Sequence, residues 1–202
     1  MFTPARKVIL GLTIAMIVIF SIRFLALKNY EFIGYIAVII LATGLLVSTM
    51  RRVAYPDSLL WLLFLWGLMH LAGGGIPIGD GHILYQWMII PFSATAEFFR
   101  YDQLVHMIGF GAATYLVYAL IRPYIATVRI GPALAIVIVM AGLGVGAFNE
   151  IVEFFATVIL PETGVGGYVN TSLDLVADGI GALIATLLIA RYHHRELAKH
   201  NS

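Results

Sequence analysis

The amino-acid sequence predicts an all-α polytopic membrane protein, a bundle of six transmembrane helices with one long extracytoplasmic connection. Three observations carry this. Of 202 residues, 61% are hydrophobic and 11% charged, with mean hydropathy +0.95, whereas a soluble domain carries about 25% charged residues. Six apolar stretches are long enough for a hydrocarbon core of about 30 Å, which a helix crosses in about 20 residues. The basic residues are distributed asymmetrically about those stretches, as in membrane proteins of fixed orientation.

The spans follow in order. The first covers about 8–27. Arg6 and Lys7 precede it as in a signal peptide, but it is long enough to span and no clear cleavage site follows, so it is expected to be retained. The second, about 32–50, is closed by Arg51-Arg52. The third, about 58–73, opens at Pro56-Asp57 and ends at Gly73-Gly74-Gly75. The fourth, about 102–121, stops before Pro123. The fifth, about 131–159, runs from Gly131-Pro132 to Pro161. The sixth, about 172–190, is closed by Arg191. These form one transmembrane domain over 1–191, and 192–202 reads as a polar cytoplasmic tail in which His193, His194 and His200 are solvated. With the N-terminus in the cytoplasm, the inner segments hold Arg6, Lys7, Arg51, Arg52, Arg122, Arg129, Arg191, Arg195 and Lys199, the outer ones Lys28 and Arg100, and Arg23 snorkels from the outer end of the first span. The positive-inside rule then places both termini in the cytoplasm of a multi-pass cell-membrane protein.

Residues 74–101 interrupt the pattern. Pro77 and Pro91 divide this segment, while Tyr85, Trp87, Met88, Ile89, Ile90, Phe92, Phe98 and Phe99 make it apolar. It is expected to lie in or dip into the outer interface, either as a packing lid or as a functional one. Gly79-Asp80-Gly81-His82 within it has the composition of a turn.

A net charge of +1 gives no indication of a nucleic-acid partner, and the absence of cysteine excludes thiol catalysis, disulfides and thiolate-bound zinc. The informative residues are the charges inside the spans. An ionisable side chain at the bilayer centre costs about 2.5–3.5 kcal/mol on insertion scales and marks a functional site by default. Asp102 and His106, and Asp174 and Asp178, are spaced i,i+4, and Glu150 and Glu153 i,i+3, so each pair shares a helix face. At about 1.5 Å rise per residue, these six residues and His70 fall in one layer in the outer half of the membrane. Gly109-x-x-x-Ala113, Gly142-x-x-x-Gly146 and Gly181-x-x-x-Ala185 would let spans four, five and six pack closely. Five carboxylates so placed require protons or a cation between them. A divalent metal, with zinc, magnesium and manganese undistinguished, would take Asp102, His106, Glu150, Glu153, Asp174 and Asp178 as ligands, with Glu150 or Glu153 free to act as a base. His70 as a further ligand, Arg100 as a phosphate clamp and Asn149 as a supporting amide are secondary candidates. A proton or cation path and a static polar network remain as alternatives.

Three motifs thus stand in order: Asp102-x-x-x-His106, Glu150-x-x-Glu153, and Asp174-x-x-x-Asp178 followed by Gly179-Ile180-Gly181-Ala182. Over about 70–182 this pattern resembles bacterial inner-membrane proteins of the YjdF kind. More distantly it resembles the VanZ-like proteins, whose pattern has Gln at the position of Glu153 and Asn at that of Asp178. The resemblance implies an inner-membrane protein. Because VanZ-like proteins are linked to glycopeptide-antibiotic tolerance, it also implies envelope chemistry without naming a reaction. The expectation is a metal-dependent hydrolase or transferase acting on a membrane lipid or lipid-linked substrate at the outer leaflet. A coupled transporter and a non-catalytic envelope scaffold are the alternatives. Span five has no polar side chain from Ala133 to Gly146, which counts against a path through the membrane. Oligomeric state is not legible.

Overall fold

The structure, a computed structural model, describes residues 3–93, 96–160, 163–164 and 166–200, with side chains for all of these except 91–93, 96–98 and 200. Pro161, expected to end the fifth span, and the side chains of Pro91, Phe92, Phe98 and His200 therefore lie outside the described residues. Six helices form: α1 Pro4–Ala26, α2 Tyr30–Thr49, α3 Asp57–Gly75, α4 Tyr101–Ile121, α5 Pro132–Ile159 and α6 Tyr168–His200. All six are long and apolar enough to cross a membrane. Their boundaries have local causes. Thr3 caps α1 by accepting from the Arg6 amide at 3.2 Å, and Pro4 occupies the first turn, where its missing N–H has no partner to lose. Asn29 caps α2 by accepting from the Phe32 amide at 3.1 Å. Pro132 opens α5.

The helices alternate in direction, and three contacts tie one end of the bundle together. Arg6 donates to Asp57 Oδ1 at 2.8 Å and to the Tyr55 carbonyl at 2.7 Å, joining the starts of α1 and α3. The hydroxyls of Ser58 and Tyr115 lie 3.2 Å apart, joining α3 to α4. The Tyr118 hydroxyl lies 3.0 Å from His193 Nδ1, joining α4 to α6. The start of α1 and the last turns of α6 therefore lie at the same end of the bundle.

The sixth helix differs from the expected span. It does not stop at Arg191 but runs on to His200, and His193 is buried rather than solvated. The reason is pairing at both ring nitrogens: besides Tyr118, Nε2 lies 2.9 Å from the Val128 carbonyl in the α4–α5 connection. The imidazole thereby anchors that connection to the last turns of α6.

The α4–α5–α6 core is made by small residues. Gly111 of α4 faces the backbone of Gly181 in α6, and Gly181 faces the Met107 carbonyl. Gly142 faces Thr114 and Ala182, and Gly146 leaves the space occupied by the Asp178 carboxylate. Gly109, expected in the same seam, turns instead toward the Trp66 indole of α3. The outward faces carry exposed Ile14, Val18, Leu41, Val137, Met140, Phe155 and Leu187, a surface suited to lipid chains.

The 74–101 connection contains regular structure. Pro77–Gly79 (β1) pairs antiparallel with His82–Ile83 (β2) around Asp80, whose φ of 49° lies between two glycines of positive φ, so the expected turn is present. A single 3-10 turn, Leu84–Gln86, follows, and Met88–Ser93 (β3) pairs antiparallel with Ala96–Arg100 (β4). Two hairpins satisfy the backbone of a segment too interrupted to be helical. The 3-10 turn between them lies against α3 and α4, where Gly73 admits the Tyr85 ring, while Gly74 admits the Phe32 ring of α2 and Gly75 the Phe20 ring of α1. The three glycines that mark the end of span three are thus still helical and serve as an aromatic docking face.

Candidate metal centre

Helix α4 supplies the centre of the site. His106, on its second turn, is buried and lies between both acidic helices. Its Nδ1 is 3.0 Å from Asp178 Oδ1 and 3.9 Å from Glu150 Oε1, while its Nε2 is 3.9 Å from Asp102 Oδ1. Asp174, one turn before Asp178, is fully buried and accepts from Gln103 Nε2 at 2.7 Å. Asn170 donates to Asp174 Oδ2 at 2.5 Å and to Asp102 Oδ2 at 3.3 Å, so one amide draws two carboxylates together. Asn149 donates to Glu153 Oε1 at 2.8 Å.

Two groups among the described residues are compact enough to hold a metal ion: Asp102, His106 and Asp174, and His106, Glu150 and Glu153, each with donor atoms within 4.8 Å of one another. Ligands bound at about 2.1 Å are at most about 4.2 Å apart, so either group closes by small rotamer adjustments. The imidazole separates the two. A neutral imidazole carries one N–H, and the carboxylate 3.0 Å from Nδ1 belongs to Asp178. With the proton at Nδ1, the lone pair is at Nε2, on the side of Asp102. Asp178 belongs to neither compact group and lies against Nδ1 of the ring.

Burial leaves a deficit of partners. Asp178 Oδ2 and Glu150 Oε1 are both shielded from solvent with no hydrogen-bond partner among the described residues. Five carboxylates share one imidazole, the amides of Gln103, Asn149 and Asn170 and the Thr171 hydroxyl. Like charges this close in a medium of low dielectric require a proton or a cation.

The remaining candidates line a cavity of about 130 Å³ over this cluster, among whose walls are Glu31, Tyr35, His70, Tyr85, Arg100, Asp102, His106, Glu153 and Asn170. Arg100 is thus at the cavity wall. His70 shares the wall but stays out of the acidic group. Burial pushes the Tyr85 phenol well up from its ordinary range, so its hydroxyl keeps its proton, and it lies 2.6 Å from His70 Nδ1. Rings of Phe32, Tyr35, Trp66 and Tyr85 surround His70 at centroid distances of 5.1–5.9 Å. Glu31 accepts the Gly164 amide at 2.7 Å and the Tyr35 hydroxyl at 3.3 Å, tying the α5–α6 connection to the start of α2.

Four residues of this site, Glu31, Tyr35, Gln103 and Asn170, escape a search for charges within the spans. Asn170 had a usable signal, four residues before Asp174, where an amide meets a carboxylate on a helix face. Glu31 and Tyr35 had none, since α2 reaches the site only through tertiary packing.

No curated protein and no solved structure matches the chain. One family does, over residues 6–195, and the chain belongs to it: the family described as Predicted membrane protein (DUF2238).

Proposed function

We propose that the protein is a metal-dependent membrane enzyme, a hydrolase or transferase acting on a lipid-borne envelope substrate at the outer leaflet of the cell membrane. The observation that carries this is the pairing of His106 Nδ1 with buried Asp178, which aims Nε2 toward Asp102 in the group that includes Asp174. Asp102, His106 and Asp174 hold a divalent ion. Such an ion supplies Lewis-acid polarisation of a phosphoryl or carbonyl oxygen and a more acidic water. Glu153 lines the cavity and is steadied by Asn149, which suits it to take the proton from an attacking water and pass it to the leaving group. Glu150 Oε1, 3.9 Å from Nδ1, stands behind the ring as a second carboxylate beside Asp178. Arg100 at the cavity wall offers a contact for an anionic group of the substrate.

Lipid is favoured as the substrate's carrier by the site's position near one end of six membrane-length helices. The excess of basic residues at the opposite end favours an outward-facing site under the positive-inside rule, and the motif resemblance to YjdF-like and VanZ-like proteins fits an envelope substrate. A transport path is disfavoured by the residues below the cluster: the buried hydroxyls of Thr114 and Thr186 each donate to their own helix, to Phe110 and Ala182, at 2.6 and 2.8 Å. Elemental analysis of protein purified without chelator and with divalent ions supplied tests the proposal. One metal per chain is expected in the wild type and none in Asp102→Asn or Asp174→Asn. Absence of metal from the wild type overturns it.

A further inference from the structure

We infer that a groove between α3 and α6 seats one acyl chain of an anionic phospholipid, with the lipid phosphate held by Arg122. The groove has a volume of about 520 Å³, with Leu62 of α3 on one side and Ile184 and Leu188 of α6 on the other. Helix α4 packs against both neighbours and contributes Met107 and Gly111, so it forms the floor. Ile184 and Leu188 are exposed, which opens the groove toward the membrane.

Length and polarity both match a lipid chain. The groove follows α4 from Met107 to Tyr118 and α6 from Gly181 to Tyr192, about 16 Å at about 1.5 Å per residue. That is the depth of one leaflet, half of a hydrocarbon core of about 30 Å. The two helices are antiparallel, with Gly181 against Met107 at one end and Tyr118 beside His193 at the other. Polar groups gather at the second end, where the hydroxyls of Ser58 and Tyr115 lie 3.2 Å apart and Tyr192 closes the wall. The Arg122 guanidinium lies over the Tyr192 ring, 5.9 Å from its centroid. Stacking of this kind holds the planar fork that arginine offers to phosphate. The acids beside this end in sequence are already paired: Asp57 accepts from Arg6 at 2.8 Å, and Glu196 lies 2.8 Å from Lys199. Arg129, Arg191 and Arg195 add to the positive potential. Basic pockets between membrane helices bind anionic headgroups for this reason. The same charge disfavours a second copy of the chain as the occupant. Two copies in one membrane orientation would bring these basic ends together, and like charges repel.

Native mass spectrometry of the delipidated full-length protein in detergent tests the assignment. Dipalmitoyl phosphatidylglycerol and dipalmitoyl phosphatidylcholine, which share their chains, are titrated separately. The glycerol lipid is expected to bind about tenfold more tightly, the worth of one charge-assisted contact. Arg122→Gln removes that preference. Arg129→Gln, which neutralises an exposed base of the same connection, keeps it; an equal loss in both variants means general attraction to a basic face and overturns the site. Ala185→Phe fills the groove without changing charge and weakens binding of both lipids, and Leu188→Trp on the exposed wall serves if that variant does not fold. Unchanged lipid binding in a folded groove variant overturns the groove as the seat of the chain. Glycerol 3-phosphate, which has no chains, is expected to bind far more weakly than the lipid; equal affinity overturns a lipid occupant. A dimer that Ala185→Phe dissociates, with no preference between the two lipids, makes the groove a contact between copies and also overturns it. None of these residues belongs to the metal centre, so the outcome is independent of it.

Discussion

Replacing Asp178 with Asn tests the centre of the proposed site. The carboxylate is fully buried, and its only hydrogen bond among the described residues goes to His106 Nδ1 at 3.0 Å. The substitution preserves volume and an acceptor oxygen but removes the charge that fixes the ring. Loss of such a supporting partner lowers metal affinity about 10–100-fold, or about 1.4–2.7 kcal/mol. The structure argues for the lower end. Glu150 Oε1 stands 3.9 Å from the same nitrogen without a hydrogen-bond partner among the described residues, so a small ring rotation finds a second carboxylate. Asp178→Asn should therefore weaken metal binding about tenfold and the double variant with Glu150→Gln about 100-fold, a non-additive pair if Glu150→Gln alone has little effect. Competition with a fluorescent chelator measures this, with Asp174→Asn as the variant that removes binding altogether. Loss in Asp178→Asn as complete as in Asp174→Asn would make Asp178 a direct ligand. An unchanged affinity in the double variant would leave His106 with no need of either carboxylate, and the assignment of roles would fail.

Three further outcomes are expected. Gly181→Ala drives a methyl group into the Met107 carbonyl of α4, which cannot rotate away, and should destabilise the bundle by about 1–3 kcal/mol; Gly144→Ala, with open space around it, should not, and equal melting temperatures for the two would refute the close α4–α6 contact. His193→Phe leaves the buried Tyr118 hydroxyl and the Val128 carbonyl without their partner, a loss of about 1–3 kcal/mol seen as earlier proteolysis of the α4–α5 connection, whereas a solvated imidazole would show no change. Reporter fusions after Gly79 and Thr163 should report outside and after Arg52 and Tyr124 inside; a cytoplasmic signal at Thr163 would move the site to the other leaflet.

How much of this was legible in the sequence depends on the range of the interaction. The six helices follow from local facts, because a backbone in lipid must satisfy its own hydrogen bonds and apolar runs of helix length have one way to do so. The pairs Asp102/His106, Glu150/Glu153 and Asp174/Asp178 follow from helical period, which puts each on one face. The division of labour within the cluster did not follow. Asp174 and Asp178 are equivalent by spacing, yet one joins Asp102 in a metal-capable group while the other holds the far side of the imidazole. That difference arises from the rotation and depth of α6 against α4, which the approach of Gly181 to Met107 sets. For the same reason α2 contributes Glu31 and Tyr35 to a cavity that no pattern within α2 announces. His193 shows the limit most plainly: its polar neighbours in sequence suggest solvent, and only a tyrosine and a carbonyl brought from elsewhere in the chain make burial favourable. Composition and period determined that the chain is a six-helix membrane bundle with acids on shared faces. Helix packing decided which acid meets which partner, because those contacts join residues some seventy positions apart.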